Sequence, residues 1–152
     1  MKIIDILSKQ SIVVDGEYGS KRQLLEQLAG VAAKQTGIDE RIIFDALLER
    51  ERLGTTGVGR GVALPHTRLA GLDKIFCAFV KSEPIGFDAV DGKPVDLVFL
   101  LLAPEESGAD HLKALAKLSR ILRDETAAQG LRQAKTIDDI YALIAEYDEQ
   151  DA

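Results

Sequence analysis

Seven consecutive apolar residues, Leu97-Val98-Phe99-Leu100-Leu101-Leu102-Ala103, constrain this chain more than any other feature. The run is far shorter than the roughly 20 residues a membrane span needs, and too apolar to leave either face in water. It follows the turn residues Asp91-Gly92-Lys93-Pro94 and precedes Pro104, so Val95 to Leu102 reads as a central strand covered on both faces. A strand of that kind requires a layer of helices on each side. Ile75 to Val80 has the same density of β-branched and aromatic residues and supplies a second strand.

The helices that would form those layers are marked by caps and spacing. Ser20 is placed as an N-cap with Gln23 in capping-box register, followed by Leu24, Leu25, Leu28, Ala29 and Ala32 at helical intervals up to Gly37. Asp39 caps a second helix with an apolar face of Ile42, Ile43, Ala46 and Leu47, closed by Gly54 at C′. Beyond a Pro104–Gly108 loop, Ser107 or Asp110 starts a helix facing inward through Leu112, Leu115, Leu118, Ile121 and Leu122. A last helix begins near Thr136 and packs through Ile137, Ile140, Tyr141 and Ile144. The expected architecture is α/β: a mixed β-sheet flanked by helices on both faces, as one layered domain over residues 1–152. No repeat, low-complexity tract or linker offers a second domain a place to begin.

Composition narrows the function classes. Apolar residues at 46%, charged residues at 29% and a mean hydropathy of zero describe a globular chain able to build a core. A formal charge of −6 argues against nucleic acid as a partner. With no membrane insertion segment and no charged-then-apolar leader, the expected location is cytoplasmic. The single cysteine, Cys77, lies in an apolar run and reads as a small buried hydrophobe.

The chemistry points to histidine, of which there are two. Histidine alone offers a neutral nitrogen nucleophile at neutral pH without any shift of its pKa. His66 follows Pro65 at the exit of Gly54-Thr55-Thr56-Gly57-Val58-Gly59-Arg60-Gly61, which runs through Val62-Ala63-Leu64 into an edge or terminal strand. The alternating Gly57, Gly59 and Gly61 let backbone approach another group closely, and exposed N–H groups there can serve an anion. A phosphoryl group on imidazole carries roughly two negative charges and needs such donors and cations. Arg50, at the end of the second helix, could supply a planar fork of donors. His111 opens a helix, where the dipole favours an anion. Each residue also has a plainer reading: a Pro-His turn, a solvated arginine in the Glu49-Arg50-Glu51-Arg52 charge run, a histidine cap.

Other templates fit less well. The glycine loop lacks the Gly-Lys-Ser/Thr ending of a P-loop and leads into a strand, so nucleotide binding is not supported. Two histidines and one cysteine without ligand spacing do not suggest zinc, and no serine stands in a nucleophile elbow.

Taken together, the segment Arg50 to His66 resembles the active-site segment of the fructose/mannitol-type IIA proteins of the bacterial phosphotransferase system. Asp110 to Leu118 resembles that family's second histidine segment, and the likeness extends over essentially the whole chain. Length and the lack of fused domains point to its stand-alone, nitrogen-related branch. The resemblance implies a mixed sheet flanked by helices and a phosphoryl group carried on Nε2 of His66, received from an HPr-like phosphocarrier donor. It further implies that Arg50 neutralises phosphoryl charge and that His111 hydrogen-bonds it or orients the nucleophile, with no metal or other cofactor required. Regulatory targets such as potassium-transport or sensor proteins are the partners implied. A sugar-specific IIA component feeding a fructose or mannitol permease, and a binding module that has lost transfer, are the alternatives. Arg60 adds a cation that either contacts phosphate or steers an acidic partner. Oligomeric state has no signal in the sequence.

Overall fold

The computed structural model describes residues 1–151. After a 3₁₀ turn at Ile3–Asp5 the elements run β1 (Leu7–Gly16), α1 (Lys21–Thr36), α2 (Glu40–Arg52), β2 (Gly57–Gly59), β3 (Val62–Ala63), β4 (His66–Leu69), β5 (Phe76–Ile85), β6 (Val95–Pro104), α3 (Ala109–Arg123), α4 (Glu125–Gln133) and α5 (Ile137–Gln150). The six strands form one mixed sheet ordered β1-β5-β6-β3-β2, with β4 also paired to β6. β5 runs antiparallel to β6, while β3 and β4 run parallel to it. The expected α/β layering is what forms.

Strand β6 is buried throughout its apolar stretch, and its period of two divides the core. Leu97, Phe99 and Leu101 enter a cluster with Leu118, Ile121, Leu131, Ile140 and Ile144 of α3, α4 and α5. Val98, Leu100 and Leu102 enter another with Leu24, Leu25, Leu28, Ile43 and Leu47 of α1 and α2. Each large side chain so buried contributes about 1.5–3 kcal/mol, which makes β6 the most heavily anchored element. Phe79 and Phe99 face each other across β5 and β6 with ring centres 4.9 Å apart. Cys77 is fully buried in the first cluster, and burial pushes its thiol far above the ordinary range.

The caps mostly stand where the sequence puts them. Ser20, Asp39 and Thr136 each accept a backbone N–H of the helix they open, and Gly37 closes α1 in the left-handed region. Three details differ. The Gln23 side chain reaches the Gly19 N–H at 2.6 Å, one residue before the cap. Helix α3 starts after Gly108 with no side-chain cap, where Ser107 or Asp110 was expected. The packing faces of α2 and α3 are rotated from those expected: Ile42 is 56% and Leu112 63% exposed, while Phe44 and His111 turn inward. In a helix whose apolar stripe is broad, the neighbouring position competes for the same core volume.

Two elements are not announced by the sequence pattern. Strand β1 alternates poorly, because Ser8, Lys9 and Gln10 are exposed together, as an edge strand permits. Helix α4 buries only Ala127, Ala128 and Leu131.

Candidate active site

Pro65 determines where His66 sits. Its fixed φ and missing N–H interrupt the strand line after Ala63 and hold Leu64 in extended backbone. The expected single strand Val62 to His66 is therefore split: β3 lies between β2 and β6, and β4 starts at His66 on an edge. The Pro65 carbonyl accepts from Leu101 N–H at 3.0 Å, and His66 stands opposite Leu101 of β6. The histidine thus stands on a strand bonded directly to the buried β6.

Nδ1 of the half-buried His66 ring lies 2.8 Å from the Leu64 carbonyl oxygen. A carbonyl only accepts, so Nδ1 bears the hydrogen, and in the neutral ring Nε2 keeps its lone pair. The His111 ring centre is 6.2 Å from that of His66, at an interplanar angle of 46°. His111 is 8% exposed, and its Nδ1 is buried without a hydrogen-bond partner among the described residues. Burial, then the positive charges of Arg68 and His66, hold its pKa below the ordinary histidine value. Its neutral form combines one N–H donor with one bare nitrogen.

Arg68 is a cation the sequence reading passed over. It stands two residues beyond His66 on β4, hence on the same face of the strand, and its Nη1 donates to the Glu105 carbonyl at 3.1 Å. Arg50 lies in the last turn of α2, and its Nη1 donates to the Gly54 carbonyl at 2.9 Å; the two histidines are brought together.

The loop glycines have protein neighbours. A Cβ on Gly57 would come within 3.0 Å of Ala89, and one on Gly61 within 2.7 Å of Arg132 Nη2. The Gly57 N–H, expected as a free donor, is taken by Thr55 Oγ1 at 3.0 Å. Arg60 and Gly61, with φ of 59° and 80°, form the two-residue turn between β2 and β3, both in the left-handed region as a type I′ hairpin requires. Arg60 extends toward Glu125, 3.8 Å away, rather than toward the histidines. No helix among the described residues is long and apolar enough to cross a membrane, and no three His, Cys, Asp or Glu among them gather as a metal site would require.

The family model described as "Phosphoenolpyruvate-dependent sugar phosphotransferase system, EIIA 2" matches residues 5–147. The chain belongs to this EIIA family. Among its relatives, a nitrogen regulatory protein of Bradyrhizobium diazoefficiens is 51% identical to this EIIA domain over 146 residues, 95% of each chain. A fructose-specific EIIA component of the phosphotransferase system from Haloferax volcanii is 40% identical over 149 residues, 95% of this chain and 97% of the other. The crystal structure of nitrogen regulatory protein IIA-Ntr from Neisseria meningitidis superimposes with a TM-score of 0.88 at 38% identity, covering 92% of this chain and 97% of that one.

Proposed function

We propose that this EIIA domain is a phosphocarrier that accepts a phosphoryl group on Nε2 of His66 from an HPr-like donor and uses the added charge to control the binding of partner proteins. One observation supports this above the others: the Leu64 carbonyl occupies Nδ1 and leaves Nε2 as the free nucleophilic nitrogen beside His111. In the transfer, the Nε2 lone pair forms a bond to phosphorus as the bond to the donor's histidine breaks, and the donor ring keeps that electron pair. The transition state is loose and in line, so the protein contributes alignment and charge stabilisation. Arg50 would leave the Gly54 carbonyl for the phosphoryl oxygens, His111 would donate one hydrogen bond, and Arg68 would add positive potential. Incubation with the general phosphotransferase proteins and phosphoenolpyruvate should label the wild type and not His66→Ala. Label retained by His66→Ala would remove the proposal.

The regulatory purpose is supported by the higher identity to a protein named nitrogen regulatory, and potassium-transport or sensor proteins are the targets it suggests. The fructose-specific relative supports a second reading, in which His66 passes its phosphoryl group to a sugar-specific IIB domain. Transfer to a fructose-type IIB protein, together with impaired sugar uptake on deletion, would favour that reading. A pull-down comparing His66→Ala with His66→Glu would favour the first if the two variants retain different proteins.

A further inference from the structure

A buried carboxylate anchors the base of the hairpin that ends at His66. Glu51 lies in the last turn of α2 within an alternating charge run, yet its side chain is only 4% exposed. Its Oε1 accepts from the Thr56 N–H at 3.0 Å and its Oε2 from the Thr56 hydroxyl at 2.5 Å. The Lys21 ammonium, 2.9 Å away, balances its charge and rests 4.4 Å from the centre of the Phe87 ring. From Thr56 the bonds continue toward the histidine. The Thr56 carbonyl accepts from Leu64 N–H at 3.0 Å, and the Leu64 carbonyl accepts from His66 Nδ1 at 2.8 Å.

A buried carboxylate with a full set of partners is most simply structural. The far end of this chain of bonds argues for more. An imidazole side chain free in water favours the hydrogen on Nε2, the nitrogen that must be bare to attack phosphorus. The Leu64 carbonyl reverses that preference only while it stays within hydrogen-bond reach of Nδ1. On one side Leu64 is held by Pro65 and the Leu101 N–H; on the other its side chain is buried in the core and Ala63 is paired with Gly57 and Val98, while its own N–H is held by the Thr56 carbonyl.

We propose that Glu51 is a positioning residue for phosphoryl transfer: by holding Thr56, and through it Leu64, it determines which nitrogen of His66 carries the hydrogen. The proposal rests on the reading of Nε2 as nucleophile. Alanine at position 51 would strip the Thr56 N–H and the Thr56 hydroxyl of their partner and leave the Lys21 ammonium only Asp88, 3.8 Å away, and the hairpin base would relax. Glutamine keeps the shape, accepting from the N–H with its oxygen and donating to the hydroxyl with its amide.

The test is nitrogen NMR of ring-labelled histidine in the wild type, Glu51→Ala and Glu51→Gln, with transfer from an HPr-like donor measured in parallel. The wild type should hold the hydrogen on Nδ1. Glu51→Ala should shift the ring toward the Nε2-protonated form and slow transfer by about ten- to a hundredfold, the scale of a misplaced reacting group. Glu51→Gln should restore both. A folded Glu51→Ala that keeps the hydrogen on Nδ1 overturns the proposal whatever its transfer rate. Should Glu51→Ala not fold, Thr56→Val, which removes only the hydroxyl bond at similar volume, replaces it, and an unshifted ring there is equally fatal. Failure of the nucleophile reading looks different, because an Nε2-protonated ring would then be seen in the wild type itself.

Discussion

Burial gives His111 a pH signature that can be measured without any partner protein. Its pKa in the folded chain lies below the ordinary 6.5, so between those two values the unfolded chain binds more protons than the folded one. The contribution of His111 is complete above pH 6.5 and is lost as the pH falls through that window. Urea unfolding from about pH 7.5 down to about pH 5.5 should show stability decreasing, with a shallower decrease in His111→Gln; equal slopes would assign the effect to other groups. Arg68 is tied to the same titration. Because its charge depresses the pKa of His111, Arg68→Ala should raise that pKa in an NMR titration, and an unchanged value would place the guanidinium too far away to act on the site. Arg50→Ala should fold normally and transfer about a hundredfold more slowly, the usual cost of losing one stabilising donor; an unchanged rate would exclude it. His66 and His111 were legible as candidates because only two histidines exist, one opening β4 and the other in the first turn of α3. Arg68 could have been found from strand alternation after His66, had the strand been assigned beyond position 66. Glu51 could not, since a charge run reads as solvent-facing until the fold buries one member of it.

Strand β6 was legible because its hydrophobicity leaves one physical solution, and α1, α2 and α5 because their caps are chemically explicit. The β2–β3 hairpin was visible only as a glycine loop, since three-residue and two-residue strands carry too few side chains for a period. What holds the hairpin comes from residues remote in sequence. Arg132 of α4 donates to both Asp96 oxygens, at 2.8 and 3.0 Å, and to the Arg60 carbonyl at 2.9 Å. Gly61 lets that clamp lie against the turn. Gly61→Ala would force a side chain into left-handed backbone, at about 1–2 kcal/mol, and press its Cβ on the Arg132 guanidinium. Chemical denaturation should show a loss of about 2 kcal/mol or more, whereas a loss below about 0.5 kcal/mol would mean the clamp readily shifts. The chain ends are joined in a comparable way. Asp148 of α5, 1% exposed, accepts from the Ile3 and Ile4 N–H groups at 2.8 and 3.1 Å, a pairing no local pattern could reveal.

At the scale of the whole molecule, the placement of His66 favours the proposed control of partners acting by charge rather than by rearrangement. The histidine belongs to a strand bonded directly to β6, and β6 is packed on both faces by separate helical layers. Interiors packed in this way resist continuous deformation, and no second packing of β4 against β6 is evident from its register. Phosphorylation would add about two negative charges at one edge of the sheet, next to Arg68 and the start of α3. Amide shifts on phosphorylation should therefore concentrate in the hairpin base, β4 and the first turn of α3, leaving α5 and β1 nearly unchanged. A partner that distinguishes the two forms by this local charge should lose much of its discrimination as salt is raised from about 0.05 to about 0.5 M, because exposed charges are then screened within a few ångströms. Measuring the affinity of one captured partner for both forms across that range decides the matter. Discrimination that persists at high salt, with shifts spread over both helical layers, would require a conformational switch instead.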